Sequence, residues 1–142
     1  MTGGTYNNFN TKSINVNDLN HVKNNKSQLF FTSNEVEPLF PGEHEPFNVY
    51  FNFKSIGSVD VGEFKIRMIT ECKENSSLGV DIEDQIVPSL NGGATGEVIL
   101  RFDYGMPTGT YVINAYLDYN NQIRGEGEYI GNRSASCVVI VG

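Results

Sequence analysis

From Phe47 to Lys54 the chain places Phe47, Val49, Phe51 and Phe53 two residues apart, with Asn48, Tyr50, Asn52 and Lys54 between them. Successive side chains of a strand point to opposite faces, so this period builds a strand with one face for a core and one for water, and it does not build a helix. The pattern returns at Phe64, Ile66 and Met68 against Lys65, Arg67 and Glu71, at Val98, Leu100 and Phe102, and at Tyr111, Ile113, Ala115 and Leu117. Turn-forming residues separate the runs: Phe40-Pro41-Gly42-Glu43, Ile56-Gly57-Ser58, Asn91-Gly92-Gly93 and Gly105-Met106-Pro107-Thr108-Gly109. Short amphipathic strands at such intervals predict a sandwich or barrel.

Three further segments complete that expectation. Leu29 to Ser33, continuing toward Val36, reads as the first strand. Gly79 to Leu90 carries Val80, Ile82, Ile86 and Val87 and reads as one bent strand or two short edge strands, since Pro88 suits an edge. Ser136 to Val141 is apolar on both faces, which predicts a strand covered on both sides or meeting a partner. Tyr111, near the start of the penultimate strand, is placed to bond its hydroxyl across a sandwich corner. The fold class expected is all-β, an immunoglobulin-like Greek-key sandwich of about seven antiparallel strands with one core. Nine Phe and seven Tyr supply much of the area to bury.

Residues 1–26 are different in kind: polar, rich in Asn, and read as an N-terminal arm ahead of a domain over 27–142. Within the arm Ser13-Ile14-Asn15-Val16-Asn17 alternates, so Ile14 and Val16 can form a short strand docking on a sheet edge; the alternative is a leader without structure. The arm has no basic segment followed by an apolar core, so no signal peptide is read there. The net charge of −7 opposes a nucleic-acid partner, because that affinity comes from Lys and Arg meeting phosphates. No apolar run reaches the roughly 20 residues that span a bilayer, so membrane insertion is not expected.

No chemistry-bearing constellation emerges. His21 and His44 have no partners at metal-ligand spacing, and Cys72 has no neighbouring base to activate it. Cys72 and Cys137 allow one bridge or two free thiols; with Cys72 ending the third strand and Cys137 in the last, the penultimate strand is expected between them, too far apart to bridge easily. Neither a catalytic set nor a cofactor site is expected. Asp118, Asn120, Asn121, Glu126 and Glu128 form an oxygen-rich turn of the kind calcium uses, but the twelve-residue helical loop signature is absent and a solvated acidic hairpin is the preferred reading. Asp81, Glu83 and Asp84 read as an acidic edge that discourages edge-to-edge pairing. The tripeptides at Asn25, Asn75 and Asn132 match the glycosylation acceptor pattern and are assigned no role, and Gly92 to Gly96 reads as a hairpin turn.

Phe40-Pro41-Gly42-Glu43, then Phe53 to Ser58 leading to Val61-Gly62-Glu63-Phe64, then Thr108-Gly109-Thr110-Tyr111 leading to Leu117-Asp118-Tyr119-Asn120-Asn121, come in an order that resembles the bacterial cell-adhesion-related domain, CARDB. The resemblance spans roughly 29–141. It implies a seven-stranded sandwich at the cell surface with an adhesive or spacer role, but fold-level analogy does not carry function. The expected activity is therefore non-enzymatic interaction with a protein or glycan, with Tyr50, Tyr104, Tyr116 and Tyr119 as contact residues, since Tyr adds contact area at little entropic cost. The alternative is a self-assembling subunit whose arm, through Ile14 and Val16, adds a strand to a neighbouring copy.

Overall fold

The computed structural model describes residues 28–57, 60–118 and 133–142. The arm, with Ile14 and Val16, lies outside them, as do Tyr119 and the loop residues 120–132. Seven strands follow in order: β1 (Gln28–Glu37), β2 (Phe47–Ile56), β3 (Phe64–Cys72), β4 (Val80–Val87), β5 (Thr95–Phe102), β6 (Gly109–Leu117) and β7 (Ser134–Val141). Helical geometry is confined, among the described residues, to one 3-10 turn at Ser76–Leu78.

All pairings are antiparallel and divide the strands into a three-stranded sheet, β1-β2-β5, and a four-stranded sheet, β4-β3-β6-β7. This is the expected immunoglobulin-like sandwich. Alternation decides what faces the gap between the sheets: Phe47, Val49, Phe51 and Phe53 from β2 meet Phe64, Ile66 and Met68 from β3 and Tyr111, Ile113, Ala115 and Leu117 from β6, all buried. Burying an aromatic or branched side chain of this size contributes about 1.5–3 kcal/mol each. Phe53 and Phe64 meet edge-on across the two layers with ring centroids 5.9 Å apart, while Phe47 stacks on its register partner Phe102 at 4.5 Å.

The uncertain segment resolves as a single edge strand, β4, paired only with β3 and ended by Pro88. The Asn91–Ala94 turn is confirmed, but it does not close a hairpin between neighbours, because β4 and β5 belong to different sheets. Two glycines are required by contact. Gly96 lies under the Phe53 ring, where a Cβ would sit 2.5 Å from a ring carbon, and Gly105, at φ 66°, backs onto the His44 backbone, where a Cβ would sit 2.4 Å away. Tyr111 makes the expected corner, its hydroxyl donating to Pro107 O at 2.7 Å.

Candidate interaction surface

The sheets differ in what they show to water. On the three-stranded sheet the outward rows Ser33–Asn52–Glu97 and Glu37–Asn48–Arg101 are polar, while Glu35–Tyr50–Ile99 and Phe30–Lys54–Thr95 set half-buried apolar or aromatic residues among polar ones. On the four-stranded sheet apolar residues are exposed. Its registers align Val80–Glu71–Val112–Val138 in one row, Ile82–Ile69–Asn114–Ser136 in the next and Asp84–Arg67–Tyr116–Ser134 in a third. Val80 is 53% exposed, Ile82 57%, and Ile140, one row beyond Val138, 52%. Val112 sits diagonally from Ile69, close enough for side-chain contact across the strands. The result is an apolar band crossing the sheet, with Arg67 held by Asp84 through two bonds of 2.8 and 2.9 Å beside it.

Both open sides of the sandwich are closed by an amide. On one, Asn34 Nδ2 donates to Ser136 O of β7 at 3.3 Å; on the other, Gln85 Nε2 of β4 donates to Ile99 O of β5 at 2.8 Å. Each bond occupies a carbonyl on the free side of an edge strand. Asp81 and Glu83 share the inward side of β4 with Gln85 and border a cleft of about 230 Å³ that also takes in Met68, Leu100 and Arg101. Inward charge on an edge strand is a known obstacle to pairing. Asp84 departs from the expected acidic edge: it faces outward and is committed to Arg67.

The expected contact tyrosines do not converge. Tyr50 lies on the outer face of the three-stranded sheet, half-buried, its hydroxyl accepting from Asn48 Nδ2 at 3.4 Å. Tyr104, 88% exposed, caps the turn after β5, and Tyr116 lies on the outer face of the four-stranded sheet. Of the oxygen-rich turn, Asp118 alone is described. It is 1% exposed with φ 50°, its amide donates to Lys65 O at 2.7 Å, and its carboxylate lies 3.6 Å from the Arg133 guanidinium. The carboxylate thus helps fasten the end of β6 to the start of β7; Asn120, Asn121, Glu126 and Glu128 lie outside the described residues.

Both thiols are free and buried, on either side of β6 as the topology expected. Burial pushes the Cys137 thiol up to about 12, which leaves it protonated and unreactive. Cys72 donates to Glu74 Oε1 at 3.6 Å, and the same oxygen accepts the Thr110 amide at 2.8 Å; that amide holds the Glu74 carboxyl below its ordinary value. Among the described residues no three His, Cys, Asp or Glu are grouped to hold a metal, and no helix is long and apolar enough to cross a membrane.

No protein-family model and no curated protein matches the chain. Solved structures do. The CARDB domain of a Pyrococcus furiosus protein, crystallised with di-metal ions, superposes over 82% of this chain and 90% of its own with a TM-score of 0.57 at 18% identity. This chain has the CARDB fold. A cell-surface protein domain from Methanosarcina acetivorans superposes over 82% of this chain and 93% of its own, with a TM-score of 0.58 at 14% identity. A β-glucosidase from Erythrobacter marinus matches at 0.58 and 13% identity over only 16% of its length, so the CARDB-like sandwich corresponds to a small part of that enzyme.

Val80, Ile82 and Val112, which build the apolar band, escape detection from sequence. Val112 alternates with core residues and Val80 and Ile82 lie on an edge strand with no buried residue, and a strand's outward apolar positions become a patch only when the pairing registers bring them side by side. The one signal present in the chain was the two-sided apolarity of β7, whose Val138 and Ile140 prove uncovered within the described fold.

Proposed function

We propose that this chain is a non-enzymatic interaction module of a surface protein: a rigid sandwich that engages a protein or glycan through the outer face of its four-stranded sheet. The observation that carries this is the exposed band of Val80, Ile82, Val138 and Ile140, on a sheet whose counterpart across the core has no large hydrophobic exposed to that degree on its outer face. Apolar side chains gathered on one face of a soluble domain mark a contact site, since scattered ones carry no such meaning. Tyr116 lies on this face and is the tyrosine expected to contribute most; Tyr50 and Tyr104 are peripheral in this reading. The likeness to a cell-surface domain supports the setting, and the small share of the glucosidase that matches supports a non-catalytic accessory role. Strand addition by the arm around Ile14 and Val16 has less support, because the amide bridges occupy carbonyls on the edges of β7 and β5 and inward acids line β4.

The test is capture by the immobilised full chain from a cell-surface extract of the native source and from a glycan array, beside Ile82→Asp and Val138→Asp chains. Capture lost in both variants is the expected result. Capture unchanged in both would move the contact elsewhere, and turnover of any captured substrate would overturn the non-enzymatic reading.

A further inference from the structure

We propose that the occupant of this face is a second copy of the same chain, packed sheet on sheet about a two-fold axis that runs across the strands and meets β3 at Ile69. The inference rests on the preceding section's choice of face and deepens it by naming the partner.

Charge is the first argument. The chain carries −7 overall, so two copies repel unless they meet where that excess is absent. The outer face of the four-stranded sheet meets that requirement: β3 and β4 contribute Lys65, Arg67, Glu71 and Asp84, which cancel, and the outward positions of β6 and β7 carry no charge. The charges are also ordered. Along β3 the basic Lys65 and Arg67 precede Ile69 and the acidic Glu71 follows it. A two-fold axis at Ile69 reverses the strand, so Arg67 of each copy comes over Glu71 of the other, and the polar groups meet with opposite sign twice, as an isologous interface requires.

The apolar residues obey the same operation. Ile69 and Ile82 share the row on the axis and each meets its own copy, while the row Val80–Glu71–Val112–Val138 exchanges with Asp84–Arg67–Tyr116–Ser134, setting Val112 on an aromatic ring and leaving Val80 and Val138 beside Asp84 and Ser134 at the rim. Sheets that pack face to face keep their strands within about 30° of each other, which holds these contacts together near the axis. Four strands of eight residues span roughly 19 by 26 Å, or about 500 Å² before side-chain relief is counted. That lies below the roughly 800 Å² per partner of a standard interface, so the association is weak and concentration-dependent. Edge-to-edge pairing is the competing route to a dimer, and it is impeded on β7 and β5 by the Asn34 and Gln85 bridges and on β4 by Asp81 and Glu83.

Sedimentation velocity of the full chain from micromolar to millimolar concentration tests this. The expected result is a reversible dimer whose dissociation constant rises at least about tenfold in Glu71→Arg alone and in Arg67→Glu alone. Mixing those two variants restores association as a heterodimer, which neither a folding defect nor a change of net charge produces. Ile82→Asp, at an exposed position, gives the same loss with unchanged far-UV circular dichroism. A wild-type chain monomeric at every concentration, or a dimer that these substitutions leave intact, overturns the proposal. A monomer that still captures a surface component and loses capture in Ile82→Asp overturns self-recognition alone and leaves the interaction-module reading standing.

Discussion

The two sheets share one core and show water opposite outer faces, and the difference separates what folding demands from what it leaves open. Inward, the central strands of both obey one rule: every second residue is buried, whether from β2 or from β6. Outward, Asn48, Asn52 and Lys54 make the three-stranded sheet ordinary surface, whereas Ile82, Val138 and Ile140 leave the four-stranded sheet half-greasy. The outer positions contribute little to stability on either sheet, so their composition is available for another purpose.

The comparison breaks most sharply at the core. Phe51→Ala, at a position with no exposure, is expected to cost about 3–5 kcal/mol in urea denaturation. A loss under 1 kcal/mol would mean the layers are not packed as described. Alkali probes the four-stranded side. The folded Cys137 thiol keeps its proton to about pH 12, while in the unfolded chain it releases it near 9.0, so the folded state binds more protons between those values and its stability falls as pH rises. That contribution is fully present below about pH 9 and declines by up to about 4 kcal/mol by pH 12. Burial raises Tyr111 as well, which adds to the slope above its ordinary value of 10.0. Cys137→Ala should flatten the lower part of the curve in pH-dependent thermal melts; an unchanged curve would remove the thiol as its cause.

Smaller effects sharpen the contrast. Tyr111→Phe gives up the bond to Pro107 and should lower stability by about 1–2 kcal/mol without altering association. On the outer faces, Asn52→Ala and Ile82→Asn should each shift the denaturation midpoint by less than about 0.5 kcal/mol, yet Ile82→Asn alone should weaken capture and self-association. Equal effects of the two on binding would erase the distinction between the faces.

Strand identity was legible because alternation is local: Phe47 to Phe53 and Tyr111 to Leu117 announce their inward faces without reference to any other strand. The corner tyrosine was legible for the same reason, since Pro107 and Tyr111 are four residues apart. Gly79 to Leu90 was not, because its apolar residues, Val80, Ile82 and Ile86, turn outward and its inward positions are Asp81, Glu83 and Gln85. A reader of sequence places the greasy side inside. On an edge strand that assumption reverses, since the inward side looks onto the open margin of the sandwich rather than its centre.

The chain by itself determined the class of fold, the strands other than β4, the inward faces of β2, β3, β5 and β6, and an acidic net charge, since each depends on neighbouring residues or on simple sums. Tertiary structure alone decided that β4 joins β3, that Asn34 and Gln85 close the two margins, that the tyrosines scatter, and that Val80, Ile82, Ile69, Val112 and Val138 come to lie on one face. Those residues are up to 69 positions apart, between Ile69 and Val138, and only the strand registers, set by burial of the opposite face, bring them together.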